Sequence, residues 1–455
     1  MAEGWHTRTI SRVRLRLSFG TGVLALLVAG IASAGVPAAL HWSRPRVLDA
    51  DVGRAVSALG ADLGSSQTVA AWAGARGVFA ATARVNGRFG VPQRLSGIGV
   101  GSDSAQILAA NARGDALVLW QRSHPNDLGH GLAGPLFAAY RRAGERFAPA
   151  RRIAGNALGG MVALDARGNA VIAWDQPSVR GGRPAIDVVD RDADGRYGPV
   201  SVIASGAVTL TGLAVDPAGQ AVVVWDSGAF PATGIRAATC RPSGQCSAPV
   251  PIVPATVGAR AGAVGIDHAG RALIAWDGPY DGASSGLPYR HVQVTPLAVG
   301  ATAPGATQTL PTPTLGRVDS APQVNVDGAG DAVVAWQNTT RDGRTEKIVV
   351  ARSTRGHPFA QPTVIGTSYF GGNFNSTIGP DGQAAIAWDS LTAPVRAVIA
   401  AGPTSPFGLA ARMTNRRDSA EPALALGPRG RALGIWWDGS TPSALRYART
   451  GAAGS

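Results

Sequence analysis

The chain has 455 residues, 45% of them apolar and 16% charged, with a net charge of +13 and only two cysteines. That much apolar content excludes a disordered chain, and two cysteines exclude a small fold held together by disulfides. The positive charge comes almost wholly from arginines scattered through turns, with Lys347 the sole lysine, so no nucleic-acid partner is expected.

At the start, Arg8, Arg12, Arg14 and Arg16 precede an uncharged run from Leu17 to Leu40, within which Ala32, Ser33 and Ala34 form a small-x-small cleavage site. This is the layout of a secretory signal peptide. The run is also long enough to span a bilayer as a retained anchor with the arginines inside. Residues 1–40 are therefore expected to form an N-terminal hydrophobic helix, signal peptide or membrane anchor, and the chain's only contact with a membrane. Residues 41–455 follow as one domain, secreted or held on the outer side of the cytoplasmic membrane.

From there a single pattern returns about every 50 residues. Asp165–Trp174 has close copies at Asn111–Trp120, Asp216–Trp225, Asp267–Trp276, Asp327–Trp336, Gly379–Trp388 and Gly427–Trp436, and a worn one ends at Trp72. Each copy has an apolar stretch, an Asp-x-x-Gly turn and a second apolar stretch closing on tryptophan. The aspartate side chain bonds turn amides and the glycine accepts positive φ, which is hairpin chemistry. Ala170, Ile172 and Trp174 face one way and Val171 and Ala173 the other, so this strand must be covered on both sides. A third strand (Ile186 to Val189), a turn at Asp194 and Gly195, and a fourth strand complete the unit. An aromatic residue and a proline open the fourth strand: Phe89 with Pro92, Phe147 with Pro149, Tyr197 with Pro199, Phe359 with Pro362. Proline suits an outermost strand.

Four antiparallel strands per unit, repeated eight times, give an all-β fold: an eight-bladed β-propeller of four-stranded antiparallel blades. The last unit, Glu421 to Thr450, has three strands, and Arg44 to Leu48 read as an orphan fourth. The N-terminal strand is thus expected to complete the last blade and close the ring, which removes an exposed edge. The alternative is an open or seven-bladed arrangement. From Val292 to Arg317, rich in Thr, Pro and Ala, a stretched fourth strand and an elaborated inter-blade connection are expected.

Cys240 and Cys246 flank a turn between third and fourth strands, where a disulfide forms in an oxidising compartment. Asp175, Asp226, Asp277, Asp389 and Asp438, with Gln121 and Gln337, follow the tryptophans as a polar ring. Because the ring recurs, each member is expected to cap its own loop. Residues that occur once are better ligand candidates: Tyr280, Asp281, Tyr289, Arg290 and His291 in the fifth blade, and Tyr369 on the same rim. Their aromatic and charged types suit sugar stacking or peptide gripping. His124, Asp127 and His130 have the types of a divalent-metal site without strand-fixed spacing, so no metal or other cofactor is expected.

The Asp-x-x-Gly turn, the strand ending in Ala-Trp and the later Phe-x-x-Pro together resemble secreted bacterial β-propeller repeat proteins of no assigned activity. Sialidases share a related fold and carry Asp boxes, Ser-x-Asp-x-Gly-x-Thr-Trp, in the same kind of turn. Here Asp165 and Gly168 stand three apart and Gly168 and Trp174 six apart, so the box is not met. No nucleophile elbow, His-Glu-x-x-His or phosphate-binding loop is present. The expectation is a monomeric binding scaffold for a carbohydrate or protein partner, more binder than enzyme, with a sialidase-like glycoside hydrolase as the alternative.

Overall fold

The computed structural model describes residues 41–450 except 51, 53–57, 64–66, 75, 85–86, 98–102, 123–132, 179–182, 230–232, 243, 256–257, 279–290, 312–315, 319–321, 341–342, 370–371, 391–392, 416–418 and 440–442. In them the chain forms eight antiparallel sheets, seven of four strands and one of five. Apart from a 3-10 turn at Pro428–Gly430, no helix occurs among the described residues, and none there is long and apolar enough to cross a membrane. The expected N-terminal helix lies outside the described residues.

The third blade shows how the repeat makes a sheet. Its strands are Gly160–Leu164, Ala170–Gln176, Ala185–Arg191 and Ser201–Ser205, paired in that order. Asp165 Oδ1 accepts the backbone N–H of Arg167 and of Asn169, each at 2.8 Å. Gly168, at φ +91, closes the turn where a Cβ would be strained and would strike Tyr140 and Asp115. In the second strand, Ile172 and Trp174 pack against Leu117 and Leu119 of the second blade. Val171 and Ala173 pack against Val223 and Trp225 of the fourth. A neighbouring blade on each side explains why both faces are apolar. All eight repeat tryptophans are at most 4% exposed, and burying roughly 200 Å² apiece contributes about 5 kcal/mol each before entropy is counted.

The innermost strands stand side by side around the ring, and Ala58–Leu63 of the first blade adjoins Ser419–Leu426 of the eighth. The eighth sheet takes Arg46–Asp49 as its outer strand, with Arg46 opposite Tyr447 and Val47 opposite Arg446. The ring is thus closed as the sequence predicts, with eight blades. The interval around residues 292–317 divides differently from the expectation. His291–Ala298 is a third strand, Gln308–Leu310 the fourth, and Gly316–Val318 already pairs within the sixth blade. That blade's inner edge is shared by Gly316–Val318 and Gln323–Val326, which makes it the five-stranded sheet.

Candidate functional site

Loops between second and third strands share one face of the ring with the blade-to-blade connections. Here three aspartates reach across to the next blade. Asp175 Oδ1 accepts the N–H of Leu210 at 2.8 Å, Asp226 Oδ1 that of Ala261 at 2.8 Å, and Asp389 Oδ2 that of Glu421 at 2.6 Å. Each receiving inner strand slips register at that point, between Leu210 and Gly212, Ala261 and Ala263, and Ala420 and Ala423. A bulge turns an N–H out of the ladder, and the carboxylate of the preceding blade takes it.

Where the ring residue is glutamine, the polarity reverses. Gln121 Nε2 donates to Ala157 O at 2.8 Å, and Gln337 Nε2 donates to Gly372 O at 2.7 Å and to Glu346 at 2.8 Å. The inner strands that follow, Gly160–Leu164 and Phe374–Ile378, keep unbroken register. The ring is structural: its aspartates join blades, while Gln121 holds the end of its own outer strand; Asp389 also holds the connection entering its own blade, since its Oδ1 accepts the N–H of Asn373 at 2.6 Å. Asp438 does not belong to it. Trp437 occupies the position after Trp436, and buried Asp438 instead accepts Arg446 Nε at 2.5 Å.

Burial pushes Asp175 and Asp226 up to about 6. For Asp226 the bond from Ala261 opposes the shift, and the neighbouring Asp277 adds to it. Burial also raises Asp389 against its two amide donors, and raises Glu421, reinforced by Asp389. Glu421 has φ +53, and among the described residues only Arg429 is another non-glycine with positive φ. Such strain often accompanies function, and this junction sets two raised carboxyls together. Both oxygens of Asp389 are held by backbone amides, which makes it a fixed acceptor. Glu421 was missed in the sequence; the available signal was Pro422, a proline inside a strand, which marks a bulge.

Of the once-occurring candidates, His291 opens the third strand of the fifth blade opposite Gly278, and its buried Nδ1 has no partner among the described residues. Tyr369 ends the outer strand of the sixth blade opposite Thr345. Tyr280, Asp281, Tyr289, Arg290, His124, Asp127 and His130 lie outside the described residues. Among those that are described, no group of three His, Cys, Asp or Glu side chains could hold a metal.

Cys240 and Cys246 form the expected disulfide, with Cα atoms 3.9 Å apart. They bridge where Arg191 and Tyr197 bridge in the third blade, and where Arg141 lies over Phe147 in the second, 5.9 Å from the ring centroid. One covalent bond replaces an arginine–aromatic pair.

The architecture is that of an eight-bladed β-propeller closed between its two chain ends. No protein-family model matches the sequence, and no curated protein matches it. Among solved structures, a prolyl endopeptidase superposes with TM-score 0.50 at 12% identity over 85% of this chain. That match covers 55% of the endopeptidase, so the chain spans about half its length. A PL25 ulvan lyase gives 0.49 at 9% identity, over 75% of this chain and 91% of the lyase. The intramolecular trans-sialidase of Ruminococcus gnavus gives 0.38 at 10% identity, over 88% and 95%. At such identities the likeness is one of fold.

Proposed function

We propose that the protein is an extracytoplasmic binding scaffold, a propeller of residues 41–455 behind a leader or anchor of residues 1–40. In this reading the loop-face segments with Tyr280, Asp281, Tyr289, Arg290, His291 and Tyr369 hold a carbohydrate or protein partner. One observation carries it. The polar groups that recur on that face are largely buried and committed to the scaffold, Asp175, Asp226 and Asp389 to the next blade, Gln121 to the end of its own outer strand and Gln337 to the connection leaving its blade, so recognition falls to side chains that differ from blade to blade. The disulfide fits an oxidising compartment.

The test is retention of the purified chain on a panel of glycans and cell-wall polysaccharides, with Tyr280→Ala and Tyr289→Ala beside it. Losing one stacking ring lowers affinity about tenfold while the melting temperature stays put. A panel that retains nothing, or variants that bind like the parent, sinks the proposal. Turnover of a chromogenic glycoside would replace it with the sialidase-like hydrolase.

A further inference from the structure

On the face opposite the loops, the turn between first and second strands repeats one arrangement from blade to blade, and the sixth blade departs from it. In the third blade Asp165 opens the turn and Asn169 stands four residues on. Asn169 Nδ2 donates to Asp165 Oδ2 at 2.7 Å, and its Oδ1 accepts the N–H of Ala193 at 2.8 Å. Outside the sixth blade, every described aspartate at these two positions has such a donor. Gln220 Nε2 reaches Asp216 Oδ2 at 3.3 Å, and Arg271 Nε reaches Asp267 Oδ2 at 3.3 Å. In the second blade the two types are exchanged, and Asn111 Nδ2 donates to Asp115 Oδ2 at 3.0 Å.

In the sixth blade both positions are acids, Asp327 and Asp331. Asp327 Oδ1 is held in the usual way, accepting the N–H of Gly330 at 2.8 Å and of Asp331 at 2.9 Å. Asp331 takes the place of Asn169: its Oδ1 accepts the N–H of Arg355 at 3.0 Å, 24 residues on, as Asn169 accepts that of Ala193, also 24 on. Its other oxygen therefore stands where Asn169 Nδ2 stands, facing Asp327 Oδ2, and has no hydrogen to offer. Asp327 is only 5% exposed, and its Oδ2 is buried without a hydrogen-bond partner among the described residues. Burial raises the Asp327 carboxyl; the amide bonds to it oppose that shift and the Asp331 carboxylate adds to it. Leaving a buried anionic oxygen without a partner is costly.

A third oxygen converges on the pair. In the second blade Asn111 Nδ2 also donates to the carbonyl of Asp165, the first residue of the next blade's turn, at 3.0 Å. The matching residue beyond Asp327 is Gly379, whose N–H bonds Gln383 O at 2.7 Å as that of Asp165 bonds Asn169 O at 2.9 Å. Asp331 Oδ2 lies against the same turn, 2.9 Å from where a Cβ on Gly382 would sit. Three acceptors, two of them carboxylate oxygens, thus meet with no hydrogen among them. The nearby arginines do not compensate. Arg352 donates to the carbonyls of Gly382, Gly402 and Ser405, and neither it nor Arg355 forms an ion pair among the described residues.

We infer that the Asp327–Asp331 pair binds a calcium ion at the seam between the sixth and seventh blades, with Asp327 Oδ2, Asp331 Oδ2 and the Gly379 carbonyl as protein ligands and water completing the shell. Carboxylate and carbonyl oxygens are hard donors, which suit calcium or magnesium. Calcium tolerates an irregular oxygen shell, whereas magnesium demands a near-ideal octahedron and gives up water reluctantly. The site lies on the face opposite the loops and does not depend on the function proposed above.

Equilibrium dialysis of the EDTA-treated full chain against 45Ca2+, with calorimetry beside it, tests the inference. One ion binds per chain with a Kd of about 0.1–1 mM, as expected of a site with few charged ligands, and at least tenfold tighter than Mg2+. Calcium at about 10 mM raises the melting temperature by about 2–3 °C. Asp331→Asn copies the pair of the third blade and Asp327→Asn that of the second, so each supplies the missing donor from within. Each abolishes the bound ion and raises the calcium-free melting temperature by about 1–2 °C. Asp194→Asn, which removes an exposed turn acid in another blade, leaves binding intact. Should one of the two seam variants misfold, the other still decides. No ion bound at the same calcium concentration means that a shared proton neutralises the pair and overturns the inference, as does undiminished binding to either folded seam variant.

Discussion

Trp276 differs from most of its repeat partners by a single hydrogen bond. Its Nε1 donates to the buried hydroxyl of Thr295 at 2.9 Å, and Thr295 in turn shares a bond of 2.8 Å with Thr307. The indole nitrogens of Trp120, Trp174, Trp225, Trp336 and Trp436 are buried with no such acceptor among the described residues. Register explains the difference. Thr295 lies opposite Ile274, two residues before its tryptophan, and the matching position in the third blade, opposite Ile172, is Val189. Thr295→Val keeps the volume and removes the acceptor. The lost bond and the two orphaned partners are worth about 1–2 kcal/mol, partly offset because a methyl group is easier to bury than a hydroxyl. With an unfolding entropy of about 2.1 cal/mol/K per residue over roughly 400 residues, the melting temperature falls by about 2 °C. Val189→Thr makes the converse change, offering Trp174 an acceptor. Calorimetry reads the stability, and indole N–H resonances read the bond: Trp276 moves upfield in Thr295→Val and Trp174 downfield in Val189→Thr. An unchanged melting temperature together with unmoved indole signals would refute the account.

Three further outcomes follow from the junctions between and within blades. Replacing both Cys240 and Cys246 by alanine costs about 2 kcal/mol, since the disulfide closes a loop of only six residues' separation. Arg and Tyr at those two positions, as in the third blade, recover part of the loss in a thermal melt. Asp389→Ala strands the amides of Asn373 and Glu421, lowers stability by about 2–4 kcal/mol and, by hydrogen exchange, opens the seam between the seventh and eighth blades first. The pH dependence is set by Asp175 and Asp226, each raised by burial from 3.8 to about 6. A raised native pKa means that the folded state binds protons more tightly than the unfolded chain. Their contribution is therefore complete below about pH 4 and lost as pH rises through 6. The melting temperature should climb between pH 7 and pH 5, and Asp226→Asn should flatten that climb; a monotonic fall over the same range contradicts the assignment.

The blade was legible because eight units obey one packing rule. Trp174 and Val171 announce a strand covered on both faces, and Asp165 with Gly168 announces its turn. The closing strand was legible for the same reason: the last unit lacked a fourth strand and Arg44 to Leu48 had no unit of its own, and the strand formed is Arg46–Asp49. The aspartate ring was visible as a pattern, but its targets were not. The amide that Asp175 accepts lies 35 residues away and is free only because the receiving strand bulges, and a bulge leaves little trace in composition. Gln93 and Gln308, whose carboxamides pair with the backbone of Phe147 and Phe359 in the next blade, were harder still, since an isolated glutamine in a polar outer strand looks like solvent-facing filler until the next blade is set beside it. Asp438 misled because Trp436 and Trp437 are adjacent, and a one-residue offset turns a strand position to the opposite face.

The seam between Arg46–Asp49 and Ala444–Arg449 joins segments from opposite ends of the chain. Bringing such distant partners together adds little equilibrium cost, because closure entropy grows only logarithmically with loop length, but it makes the last pairing slow relative to the local hairpins. During that interval the eighth blade presents a bare strand edge. Any extended segment of compatible pattern present at that moment competes for it, so the same joint that seals the ring is also the natural point for one copy to exchange its first strand with another.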